Sequence, residues 1–192
     1  LLHAPPIRWG GDVTGDGIDD MLLQDVYGTS SGGSLGGFAV LQGSSSLPQA
    51  IRYSELPKIV GRTPPGGYYS QAESVQGIGD VDGDGFDDIA FVSGLEFEDT
   101  ESEGDQRFYD VYVVFGRGVF EGRSTIEEEV ESARAIRVAY SDEYFADRMW
   151  KWYVADLSQA GDVDGDGIGD FVLVCSSQGE PSPGAGLYLV KG

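Results

Sequence analysis

The chain has 192 residues, 40% hydrophobic and 11% aromatic, enough to bury a core and too much for a disordered acidic tail. Its formal charge of −21 repels phosphate backbones and anionic lipid headgroups, which argues against nucleic acid and membrane surfaces as partners and favours cations. No apolar run approaches the roughly 20 residues of a membrane-spanning helix, so no membrane insertion is expected.

Thirty glycines and short, regularly spaced apolar runs predict an all-β chain. A first unit, about 7–54, opens with a strand at "IRWG". It passes through "GDVTGDGIDD" at 11–20, leaves by the strand "MLL", and continues with "GFAVLQG" at 37–43 and a fourth strand at "AIRY", 50–53. The second unit, about 71–140, repeats the order: "ESVQGIG", then "GDVDGDGFDD" at 79–88, "IAFV", "DVYVVFG" at 110–116 and "AIRV" at 135–138. It carries an insertion, "RSTIEEEVESARA", in which Ser124 and Glu127 have the spacing of a capping box and predict a short helix. The third unit, about 154–192, gives "DLSQAG", "GDVDGDGIGD" at 161–170, "FVLV" and "GLYLVKG" at 186–192.

Three four-stranded units in tandem read as β-propeller blades, because one small twisted sheet cannot cover both its faces and must stack on its neighbours. Three units do not close a ring. Either the chain is a segment of a longer propeller, or further blades come from the same or another chain. "LLHAPP", at the start, offers an outer edge strand for the third blade, its prolines confining it to an edge.

The loop between strands 1 and 2 of each unit carries the chemistry. Numbered from its first aspartate, it holds oxygen ligands at positions 1, 3, 5 and 9, glycine at 6 and a main-chain carbonyl at 7. The candidate metal ligands are therefore Asp12, Thr14, Asp16, Ile18 and Asp20; Asp80, Asp82, Asp84, Phe86 and Asp88; and Asp162, Asp164, Asp166, Ile168 and Asp170. Such crowding of hard oxygens selects calcium, predicting three Ca2+ sites. Two carboxylates about 4 Å apart repel by about 4 kcal/mol at an effective dielectric near 20, and a cation removes that cost. An EF-hand is excluded, because its twelfth position needs a bidentate glutamate and here holds Leu23, Phe91 or Leu173. The competing reading, aspartate and glycine serving only as hairpin turns, is weakened by three copies in one register.

The D-x-D-x-D-G-x-x-D spacing between two strands, with "VYVVFG" closing the next hairpin, resembles the FG-GAP repeat of integrin α-subunit propellers. The two tracts that give the repeat its name are altered: Tyr153-Val154 stands near the FG position of the third unit and Val92-Ser93-Gly94 at the GAP position of the second. The resemblance implies a calcium-bearing propeller at the cell surface or outside the cell, used for adhesion or recognition of a protein or glycan.

Antiparallel blades put the calcium loops and the loops between strands 3 and 4 on one face. The opposite face receives the remaining loops and the aromatics Tyr68, Tyr69, Trp150 and Trp152, the candidate partner-binding residues. Packing between blades is the rival role for these rings. Catalysis has little support: His3 is the sole histidine, which leaves no histidine triad or zinc site, and no nucleophile or phosphate motif occurs. The paired carboxylates stand at metal spacing rather than as a glycosidase pair. The expected function is thus a non-enzymatic recognition or adhesion module. A structural subunit joined through blade edges, or an accessory domain of a secreted polysaccharide-degrading enzyme, are the alternatives. Cys175, alone in an apolar run, is expected to be a buried, unreactive thiol.

Overall fold

The structure, a computed structural model, describes residues 6–25, 36–61, 69–97, 106–139, 151–178 and 186–192. Among the described residues the fold is all-β with one short α-helix, and the strands form three sheets. The first sheet has the order β1 (Ile7–Gly11), β2 (Asp20–Asp25), β3 (Gly37–Leu41), β4 (Lys58–Val60) and, on its outer edge, β8 (Arg123–Thr125). The second has β5 (Tyr69–Gly79), β6 (Asp88–Phe97), β7 (Gln106–Val114) and β9 (Ala135–Ala139). The third has β10 (Lys151–Gly161), β11 (Asp170–Gln178) and β12 (Gly186–Val190). Among the described strands every pairing is antiparallel except β4 with β8.

The sheets stack in chain order, and the alternation of side chains along β6 shows how. Ile89 and Phe91 point into one core with Leu22, Phe38 and Val40 of the first sheet. Ala90 and Val92 point into a second core with Phe171 and Leu173 of the third. A strand buried on both faces must be apolar at every position, which explains the unbroken run "IAFV". Across the first core, Phe38 and Phe91 meet with ring centroids 5.3 Å apart and tilted planes. The first strands lie at the closest approach of neighbouring sheets: a Cβ on Gly77 of β5 would stand 2.1 Å from the Gly10 carbonyl oxygen of β1, so only glycine fits.

Two expectations shift. The fourth strand of the first sheet is not "AIRY", which is irregular and ends in a 3-10 turn at Tyr53–Glu55; it is β4, seven residues further on. Ile51 is exposed whereas Ile59 and Val60 are buried, so the core selects the later run. The insertion does form a helix, α1 (Ile126–Glu131), but its cap is Thr125 rather than Ser124. Thr125 Oγ1 accepts the Glu128 N–H and Glu128 returns a bond to the Thr125 N–H, one residue later than the expected pair. Ser124 instead lies in β8, paired with Ile59.

Candidate metal centre

Each aspartate loop begins at a bulge. Gly11, Gly79 and Gly161 have positive φ and sit where the register shifts, directly opposite Asp20, Asp88 and Asp170. Glycine at the bulge turns the strand and brings the position-9 aspartate, the first residue of the next strand, beneath the loop.

That aspartate is 0% exposed in all three loops. One oxygen accepts a loop N–H: from Thr14 to Asp20 at 2.9 Å, from Val81 to Asp88 at 2.9 Å and from Val163 to Asp170 at 2.8 Å. The other accepts the N–H of the glycine that closes the third strand: Gly43 at 2.7 Å, Gly116 at 2.8 Å and Gly192 at 3.2 Å. Those glycines close the runs "GFAVLQG", "DVYVVFG" and "GLYLVKG", so a signal for them was in the sequence, though not for their partner.

The position-1 aspartate is held as uniformly. The N–H of the position-6 glycine donates to Asp12, Asp80 and Asp162 at 2.8, 2.9 and 2.9 Å, and the position-5 N–H adds a second bond. Gly17, Gly85 and Gly167 all have positive φ, which side chains resist, and only in that conformation does the loop fold back on its first aspartate. The position-5 aspartates each accept the N–H of position 7, Ile18, Phe86 or Ile168.

Two aspartate clusters could hold a metal ion. Oxygens of Asp80, Asp82 and Asp88 lie within 4.8 Å of one another, as do those of Asp162, Asp164 and Asp166. An ion about 2.4 Å from each ligand fits that separation, and an all-carboxylate donor set suits a hard cation. The first loop, with Thr14 at position 3, gathers no such trio. Burial pushes Asp88 up to about 7, beyond what its bonds from Gly116 and Val81 offset, with the Asp82 and Asp84 charges adding to the rise. Asp82 is raised by burial and then by Asp84, and Asp20 by burial. This unrelieved carboxylate strain is what a bound cation would remove.

Two cross-loop contacts were not anticipated. The residue just before the closing glycine reaches the loop: Gln42 Nε2 donates to Asp16 at 3.0 Å, and Lys191 Nζ to Asp164 at 2.7 Å, holding the Asp164 carboxyl below its ordinary range. The loops are also tied to each other. The Asp12 carbonyl accepts the Asp87 N–H at 3.1 Å while the Asp12 N–H donates to Asp87 Oδ2 at 2.9 Å, and Arg117 N–H donates to the Val13 carbonyl at 2.8 Å.

Of the partner-face residues, Tyr68 and Trp150 lie outside the described residues. For Tyr69 and Trp152 the structure gives only the strand register, opposite Glu96 and Ser177. His3 also lies outside the described residues. Cys175 is half-buried, and burial raises its thiol. Among the described residues no helix is long and apolar enough to cross a membrane. No protein-family model matches the chain, and no curated protein matches it.

Proposed function

We propose that the chain is a calcium-binding segment of an FG-GAP-type β-propeller, serving outside the cell as a non-enzymatic recognition or adhesion module for a protein or glycan. The observation that carries this reading is the threefold construction of one loop, each copy between a first and second strand, each with a buried position-9 aspartate and a position-1 aspartate wrapped by main-chain N–H groups. A turn needs no such carboxylates. Asp80, Asp82, Asp84 and Asp88 would hold one ion, Asp162, Asp164, Asp166 and Asp170 a second, and Asp12, Thr14, Asp16 and Asp20 a third. The ions would neutralise the loops and fix the ends of the strands they join. Recognition is assigned to the opposite face, supported by its long loops and aromatic residues in the sequence.

The direct test is calorimetric titration of metal-free protein with calcium, beside magnesium as control. The Gly17, Gly85 and Gly167 amide resonances, one per loop, assign each binding event. Saturable shifts of Gly85 and Gly167 with calcium and none with magnesium are expected. No shift of either glycine at millimolar calcium would defeat the reading.

A further inference from the structure

The residue just before each closing glycine stands at one place in all three repeats, because the N–H of that glycine is fixed to the buried position-9 aspartate. From there a long polar side chain reaches the aspartate loop, and the three loops meet three different residues. In the second repeat it is Phe115, which packs against the second core, and among the described residues no amide or cationic side chain bonds to Asp82. In the first it is Gln42, whose neutral amide donates to Asp16 at 3.0 Å. In the third it is Lys191, whose ammonium lies 2.7 Å from Asp164 Oδ2. The other oxygen of Asp164 accepts the Asp166 N–H at 3.3 Å, so both oxygens of this position-3 carboxylate are engaged. Oxygens of Asp162, Asp164 and Asp166 crowd within 4.8 Å of one another, and the ammonium offsets one of their three charges.

Resting on the calcium reading of the loops, we propose that Lys191 is a tethered competitor for the third site: its ammonium holds the position-3 carboxylate when no ion is bound and is displaced when calcium enters. Both cations need Asp164. A divalent ion on the same carboxylate would face the ammonium as a like charge at close range, so the two occupy it by turns. Calcium prevails where it is plentiful, because it brings two charges to several oxygens whereas Lys191 brings one charge to a single carboxylate. The lysine side chain is 59% exposed and that of Asp164 29%, so breaking the pair weakens calcium binding by at most about fivefold. The third loop therefore fills at a higher calcium concentration than its own aspartates would require. Without calcium it stays partly neutralised and tied to the end of β12, a substitute that Phe115 does not give the second loop.

The test compares calcium titrations of the parent chain with those of three variants, each followed by the Gly85 and Gly167 amide resonances. Lys191→Met keeps the stem and removes the charge, Lys191→Arg keeps the charge, and Arg52→Met removes an exposed charge elsewhere. Lys191→Met should lower the Gly167 midpoint about fivefold, while Lys191→Arg and Arg52→Met leave it near the parent value. The chain has three lysines, so the Lys191 Cε signal is identified by its loss in Lys191→Met, and in the parent it should move with the Gly167 midpoint as calcium is added. A Gly167 midpoint that Lys191→Met leaves unchanged or raises overturns the proposal. So does an equal fall in Arg52→Met, which would be an effect of net charge, or a Lys191 signal indifferent to calcium. In those outcomes a Gly85 shift still upholds calcium binding by the loops; if calcium moves neither glycine in any of the four proteins, calcium binding falls and the competitor with it.

Discussion

The N–H of Gly169 donates to the carbonyl of Asp80 at 2.7 Å, joining the third aspartate loop to the second through the very residue that opens the second loop's cation cluster. Asp87 makes the same bond to Asp12. A loop that tightens around an ion therefore fixes an acceptor for its neighbour, and the sites should be coupled. With coupling energies typically 1–3 kcal/mol, Asp84→Asn, which impairs the second site, should weaken calcium binding at the third by about fivefold or more. The midpoint of the Gly167 amide shift reports it, and an unchanged midpoint would mean that the loops act independently.

The first loop should be the weakest site. Thr14 supplies a hydroxyl where the others have Asp82 and Asp164, and Gln42 occupies Asp16. Since carboxylate count tunes affinity, Thr14→Asp should tighten this site by about tenfold. Calorimetry of the variant, read against the Gly17 resonance, checks it; a first site already tighter than the second would contradict the ranking.

Calcium removal should cost stability in proportion to the number of occupied loops. At a dissociation constant of about 0.1 mM, 1 mM calcium contributes about 1.4 kcal/mol per site, or about 4 kcal/mol for three. For a chain of this size that corresponds to a fall in Tm of about 10 °C on chelation. Calorimetric melts with and without chelator measure it, and coincident curves from a verified metal-free sample would count against any structural ion.

Acid should act through Glu129 as well as through the loops. Its carboxyl is 1% exposed, and burial alone would raise its pKa. Hydrogen bonds from Arg134 and Ser124 and the charges of Arg117 and Arg134 outweigh burial and bring it below the ordinary value. A carboxylate depressed in the folded state stabilises above its unfolded pKa and loses that contribution as pH falls through the folded one. Glu129→Gln should therefore cost about 2 kcal/mol at pH 7, where the charged hydrogen bonds to the two arginines are intact, and progressively less as pH falls through the lowered folded-state pKa. Denaturant unfolding of both proteins across that range gives the difference directly.

The aspartate loops were legible because their chemistry is local: ligand spacing, turn glycine and flanking strands lie within ten residues. The run "IAFV" likewise announced a strand, whereas the cover on both its faces shows only once the three sheets stack. The fourth strands were not so plain. "AIRY" and "AIRV" look alike, but only the second follows a helix that delivers it to β7; the first precedes Ser54–Pro57 and stays outside the core. β8 has no apolar residue at all and is a strand only because Lys58–Val60 offers it an open edge. Lys191 and Gln42 reach loops more than twenty residues away, a proximity that pairing of the second and third strands creates and no local spacing announces.

That borrowed edge strand makes the first two repeats inseparable. β8 and α1 belong in sequence to the second unit, yet β8 completes the first sheet, and Arg117 and Arg134 clamp α1 through Glu129. Excision of either repeat at the boundary between them would tear a sheet, so the pair should lose hydrogen-exchange protection as one cooperative block. The unit that repeats in the sequence is thus smaller than the unit expected to fold.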